Sequence, residues 1–128
     1  MKAGRKKQFL TEKEGEIMNL LWNHGPMLVR EMLEYYPEPK PHFNTVATTV
    51  RILESKGFVD HEVLGTAHRF RAIVARESVR SRSLADVIRN YFGNSYKQVV
   101  SALVEDEKIS LDELKEIVEI VEKKGKGI

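Results

Sequence analysis

The 128-residue sequence predicts a mainly α fold of the α+β kind: three helices, a two-stranded hairpin, then three more helices. Three observations predict it. Two capping signatures, Thr11-x-x-Glu14 and Ser110-x-x-Glu113, each open a stretch with apolar residues at helical spacing. From Phe58 to Val74 the pattern changes to alternation around a glycine turn. After Ala75 the helical spacing returns and holds nearly to the end.

Each element has its own signal. Behind the first capping box, Ile17, Met18, Leu20, Leu21 and Trp22 supply an apolar face, and His24-Gly25-Pro26 ends the helix. A second helix is predicted from about Val29 to Tyr36, with Val29, Met32, Leu33 and Tyr36 on one face. Three prolines between Pro37 and Pro41 then demand a loop of fixed geometry. The third helix is predicted from Asn44, as N-cap, to about Lys56. Val46, Val50 and Leu53 face inward, Ala47 and Ile52 lie at the edges, and Gly57 closes it. Its threonines at 45, 48 and 49 are poor helix formers, so something other than propensity favours them. In the hairpin, Phe58, Asp60 and Glu62 point one way and Val59, His61 and Val63 the other; Gly65-Thr66 form the tip, and a second strand alternates around Phe70 and Ala72. A fourth helix runs from Arg76 to about Phe92 and breaks at Gly93-Asn94. Ser95 caps a fifth, and the second capping box opens the sixth, with a frayed tail expected from Lys123.

Composition narrows the function. With 41% hydrophobic and 31% charged residues the chain reads as soluble and globular. No apolar run approaches the ~18 residues of a membrane span. The charged first sixteen residues lack the apolar core of a signal peptide, so a cytoplasmic location is expected. The absence of cysteine excludes disulfides, thiolate catalysis and cysteine-ligated metals. There is no H-E-x-x-H, no phosphate-binding glycine loop and no nucleophile elbow, and His24, His42, His61 and His68 show no helical ligand spacing. No enzyme, cofactor or metal site is therefore expected. The net charge of +2 is mild, and its excess sits in residues 1–75, with 11 basic against 9 acidic side chains, partly in the cluster Arg5, Lys6, Lys7.

Three helices and a hairpin in this order make a winged helix-turn-helix, predicted for residues 1–75. Its third helix would enter the major groove and its hairpin would lie on the backbone. Thr45, Thr48 and Thr49 can reach bases or phosphates and pack on thymine methyls, with Asn44 beside them. Arg51, Arg69 and Arg71 suit phosphates, and Arg51 can also reach a guanine. The competing reading is a winged helix that binds protein only. Residues 76–128 are too few for a core of their own. Leu84, Ile88, Tyr91, Phe92, Leu103, Leu114, Ile117, Val118 and Val121 would be covered by a second copy. A two-fold dimer also suits an inverted-repeat site.

These residues carry a resemblance. Leu10-Thr11-Glu12-x-Glu14-x-Glu16-Ile17-Met18, Leu21-Trp22, Thr45-Val46-x-Thr48 and Leu53-x-x-Lys56-Gly57 lead it. Gly65 with Phe70, Arg76-Glu77, Phe92-Gly93-x-Ser95 and Ile109-Ser110-x-x-Glu113-Leu114 complete it. Together they resemble the penicillinase-repressor (BlaI/MecI/CopY) family of bacterial transcriptional repressors, from about Leu10 to Lys124. The resemblance implies a homodimer on an inverted-repeat operator with TACA/TGTA-like half-sites, held by a C-terminal dimerisation domain. In β-lactam-responsive members, a membrane sensor protease triggers cleavage of the repressor; copper-responsive members use C-terminal cysteines. This sequence departs at three places. It has no cysteine. Ile52 stands where the family often has an arginine, with Arg51 one position earlier. Ala102-Leu103 aligns with the family's scissile Asn-Phe bond, and the nearest Asn-aromatic pair is Asn90-Tyr91.

Overall fold

The computed structural model describes residues 9–126; the cluster Arg5, Lys6, Lys7 lies outside them. The element order is α1 (Glu12–His24), β1 (Met27–Leu28), α2 (Val29–Leu33), α3 (Phe43–Ser55), β2 (Val59–Leu64), β3 (Ala67–Ala72), α4 (Arg76–Phe92), α5 (Tyr96–Glu105) and α6 (Leu111–Lys126). This is a winged helix-turn-helix followed by three helices, as the sequence predicts. The chain divides into two compact units, residues 1–82 and 83–128. The break falls seven residues beyond the expected boundary at 75, inside α4.

In the first unit, the Thr11 hydroxyl accepts from the Glu14 N–H at 3.1 Å and Glu14 Oε1 accepts from the Thr11 N–H at 3.0 Å. That box starts α1. Gly25, at φ +84°, ends it with its N–H on the Leu21 carbonyl, a backbone geometry that costs other residues strain. Ile17, Met18 and Leu21 from α1, Met32 from α2, Val46, Ala47, Val50 and Leu53 from α3, and Val59 and Phe70 from the sheet close one core. Burying each large side chain there is worth ~1.5–3 kcal/mol. The carboxylate of Glu14 is buried too, and Lys56 at the end of α3 donates to both its oxygens at 2.9 and 3.0 Å. The unit also holds the start of α4. Trp22 Nε1 donates to the Val74 carbonyl at 2.9 Å, the Arg76 guanidinium lies 5.2 Å from the Trp22 ring centre, and Val79 packs on the core.

Several boundaries differ from those expected. The helix α2 stops at Leu33, and residues 34–36 continue in tighter i→i+3 turns because Pro37 disfavours the α conformation before it. Lys40 Nζ donates to the carbonyls of Leu33 and Tyr36 at 3.0 and 2.6 Å, adding to the bond Leu33 already accepts from the Tyr36 N–H. The helix α3 begins at Phe43 with extended His42 as N-cap, so Asn44 is already helical and its side chain does not cap. The hairpin is one part of a three-stranded antiparallel sheet, order β1-β3-β2. The extra strand is two residues long, and Met27 pairs with Phe70.

In the second unit, Ser95 caps α5 by accepting from the Gln98 N–H at 3.1 Å, and Ser110 and Glu113 form the predicted reciprocal box before α6. The last helix continues to Lys126, through the tail expected to fray. Among the described residues from 83 onward, Ile88 alone is buried.

Candidate nucleic-acid interface

The helix α3 buries one side and frees the other. Val46, Ala47, Val50 and Leu53 are buried; Asn44, Thr45, Thr48, Arg51, Ile52 and Ser55 are exposed. At 100° per residue, Thr48 sits at the centre of the free face. Thr45 and Ile52 flank it on one side, Asn44, Arg51 and Ser55 on the other. Thr49 departs from the expectation. It is half-buried, its hydroxyl donates to the Thr45 carbonyl at 2.8 Å, and it lines a crevice with Lys13, Glu16, Tyr36, Pro39 and Pro41. It therefore turns away from the free face toward α1 and the proline loop. Freed from capping, Asn44 stands on the face itself.

The wing turns tightly. Leu64 pairs with Ala67, and Gly65 at φ +63° supplies the positive angle the two-residue tip needs. That register sets Glu62 opposite Arg69 and Asp60 opposite Arg71. Arg69 Nε donates to Glu62 Oε2 at 2.8 Å, with a second bond from Nη2. Arg71 Nε donates to Asp60 Oδ1 at 2.6 Å and Nη2 to Oδ2 at 3.2 Å. The hydrogen bond from Arg71 holds the Asp60 carboxyl below the usual carboxylate range. Both wing arginines are thus engaged with acids on the outer face of the hairpin, which offsets the positive charge expected there.

The opposite face of the hairpin is tied to α3. His61 Nδ1 lies 2.9 Å from a Glu54 oxygen, the His61 and His68 rings stack at 4.3 Å, and Phe70 lies beside them. These histidines fix the wing against the helix. No group of three or more potential metal ligands occurs among the described residues.

Between α3 and the wing lies a cleft of about 300 Å³, lined by Arg30, Phe43, Arg51, Thr66 and His68 among others. Arg30 and Arg51 make no ion pair with another described residue. Sequence reasoning missed Arg30, because only the packing of α2 beside the wing brings it to α3, and missed the exposed Phe43, because α3 starts one residue before the expected N-cap. The wing pairing was legible in principle: a two-residue turn at Gly65-Thr66 forces both acid–arginine pairs.

In the second unit, Leu84, Tyr91, Leu103, Ile117, Val118 and Val121 are exposed, and Phe92 and Leu114 are half-buried. Ile88 differs. At 2% exposure in the single chain it has no free surface, unlike the other side chains expected to make dimer contacts. No described helix is long and apolar enough to cross a membrane.

Comparison with known proteins adds the lineage. A family model described as penicillinase repressor matches residues 10–123. Methicillin resistance regulatory protein MecI of Staphylococcus aureus strain N315 is 23% identical over 116 residues, covering 90% of this chain and 94% of that relative. The Mammaliicoccus sciuri protein of the same name is 22% identical over the same shares. A solved transcriptional regulator, Tm0710 of Thermotoga maritima, aligns over 91% of this chain and 80% of its own at 20% identity, with a TM-score of 0.49.

Proposed function

Because the chain belongs to the penicillinase repressor family and is a transcriptional repressor, we propose that it acts as a homodimer on an inverted-repeat operator in duplex DNA. The observation that carries this reading is the free face of α3. Its exposed residues are hydrogen-bonding or cationic, apart from Ile52 and, at the helix start, Phe43, and no other described residue of the first unit covers them. Asn44, Thr45 and Thr48 offer donors and acceptors to base edges. Arg51 and Arg30 border the cleft between helix and wing, where two free guanidinium groups suit a phosphate strand. Arg69 and Arg71 join them by exchanging carboxylate for phosphate, since exposed ion pairs are weak.

Each winged helix takes one half-site, and the exposed apolar side chains of residues 83–128 hold the two copies together. The repressor works in the cytoplasm, where bacterial DNA lies. Release by a membrane sensor protease belongs to this reading as a family trait. The aligned bond Ala102-Leu103 lies inside α5 and Asn90-Tyr91 inside α4, so a protease would have to open a helix to reach either.

The test is selection from a random duplex pool by the full-length chain, followed by binding at physiological salt. An enriched inverted repeat, bound at least ~10³-fold more tightly than random duplex, is the expected result. Affinity that falls steeply with salt but shows no ratio between sequences would mark a non-specific binder. No duplex binding at all would favour a protein-interaction module.

A further inference from the structure

The free face of α3 contains one large apolar side chain. Ile52 is 43% exposed, one helical turn beyond Thr48 and two beyond Thr45. A lone exposed isoleucine is ordinary on a soluble protein. This one stands in the row 45-48-52-55, the middle of the surface the helix offers. It can neither donate nor accept a hydrogen bond. Set against the edge of a guanine, cytosine or adenine, it would cover polar atoms without replacing their bonds to water. Thymine alone presents an apolar group in the major groove, its C5-methyl.

We propose that Ile52 is a specificity-determining residue that reads the C5-methyl of one thymine in each half-site. The inference rests on the reading of α3 as the groove helix. It assigns the contact beside Thr48 to shape and apolar fit, with hydrogen bonding left to Asn44, Thr45 and Thr48. Branched at Cβ, isoleucine is stiff at χ1 in a helix, so the methyl contact costs little side-chain entropy.

The experiment uses the full chain and the duplex enriched by selection. Each thymine is replaced, symmetrically in both half-sites, by deoxyuridine, which lacks only the methyl. For the parent protein one such replacement should weaken binding roughly fourfold per half-site, about fifteenfold with both replaced, the scale of one buried methyl in each. The variant Ile52→Ala should lose a similar factor on the thymine duplex and be indifferent to uracil at that position alone. Ile52→Val should retain part of the sensitivity, and Thr48→Ser should retain it at that position. Ile52 is exposed, so unchanged thermal unfolding is expected for its variants. Two results overturn the inference: uracil sensitivity that survives Ile52→Ala at every thymine, or Ile52→Ala binding all duplexes like the parent. Failure of the underlying reading looks different, because then no duplex is enriched and Thr48→Ala binds as the parent does.

Discussion

Individual residues divide between holding α3 and using it. Lys56 is the clearest holder. Its ammonium is the only cation paired with the buried Glu14 carboxylate among the described residues, and it joins the end of α3 to the start of α1. Lys56→Ala should destabilise the first unit by about 1–3 kcal/mol, the cost of leaving a buried charged group short of partners, although Glu14 keeps its bond from the Thr11 N–H. Urea unfolding checks it, and a change below about 0.5 kcal/mol would show the pair to be incidental. Thr48 is the clearest user. It makes no side-chain hydrogen bond to another described residue and sits at the centre of the free face. Thr48→Ala should leave unfolding unchanged and relax sequence preference at one or two positions by ~1–3 kcal/mol, read by repeating the duplex selection. The helical phase of Thr48 and Arg51 was legible in the sequence because Val46, Val50 and Leu53 mark the buried side, whereas Asn44 was expected as the N-cap. The burial of Thr49 was not. At the border of the two faces, its fate depends on the proline loop packing beside it, which no period of 3.6 encodes.

Whole elements were legible in proportion to how local their causes are. Both capping boxes, the Gly25 stop and the Gly65-Thr66 tip depend on a few adjacent residues, and each forms as the sequence predicts. The strand β1 escaped notice because two residues cannot show an alternation; it exists only through its pairing with β3. The wing is the element whose behaviour the structure changes most. Its two acid–arginine pairs stand side by side on the outer face, so in the proposed complex the hairpin would meet a phosphate backbone with its charge already offset. Glu62→Gln should therefore strengthen binding to random duplex more than to the operator and lower the specificity ratio. The slope of log affinity against log salt should steepen by up to about one for each further phosphate that the wing neutralises. Salt titrations of the parent, Glu62→Gln and Arg69→Ala decide it. The arginine variant should weaken binding evenly across sequences, and identical slopes for all three would place the wing off the DNA.

The whole molecule poses a burial problem that the single chain leaves open. Among the described residues from 83 onward one side chain, Ile88, is buried, whereas Leu84, Tyr91, Leu103, Leu111, Ile117, Val118 and Val121 are all more than two-fifths exposed, Tyr91 at 79%. On α6, Leu111, Leu114, Ile117, Val118 and Val121 fall on one stripe, spaced as in a helix that packs on another. That such a short segment could not bury its apolar surface was legible from its length; that Ile88 is the exception was not, since its burial depends on tertiary packing. Leaving this stripe in water forfeits ~25 cal/mol per Å², and in the proposed dimer a second copy would supply a matching stripe by two-fold symmetry. Dimerisation would then act on DNA affinity without touching the bases. With one winged helix seated, the other would meet its half-site at the effective concentration set by the linkage. Ile117→Glu in the full chain should leave the first unit's unfolding unchanged, shift the sedimenting species toward the 14.7 kDa monomer, and reduce operator affinity about 10²-fold or more. Affinity for a single half-site should stay as in the parent, which separates lost dimerisation from lost DNA contact. A chain ending at Arg82 should likewise keep the first unit's unfolding, run as a monomer of its own smaller mass and lose operator affinity, because it keeps the Trp22–Val74 hydrogen bond, the Arg76 stack and Val79. Cutting near Val74 would remove the last two. A full-length chain that sediments as a stable monomer at micromolar concentration and still binds the operator tightly is incompatible with this account.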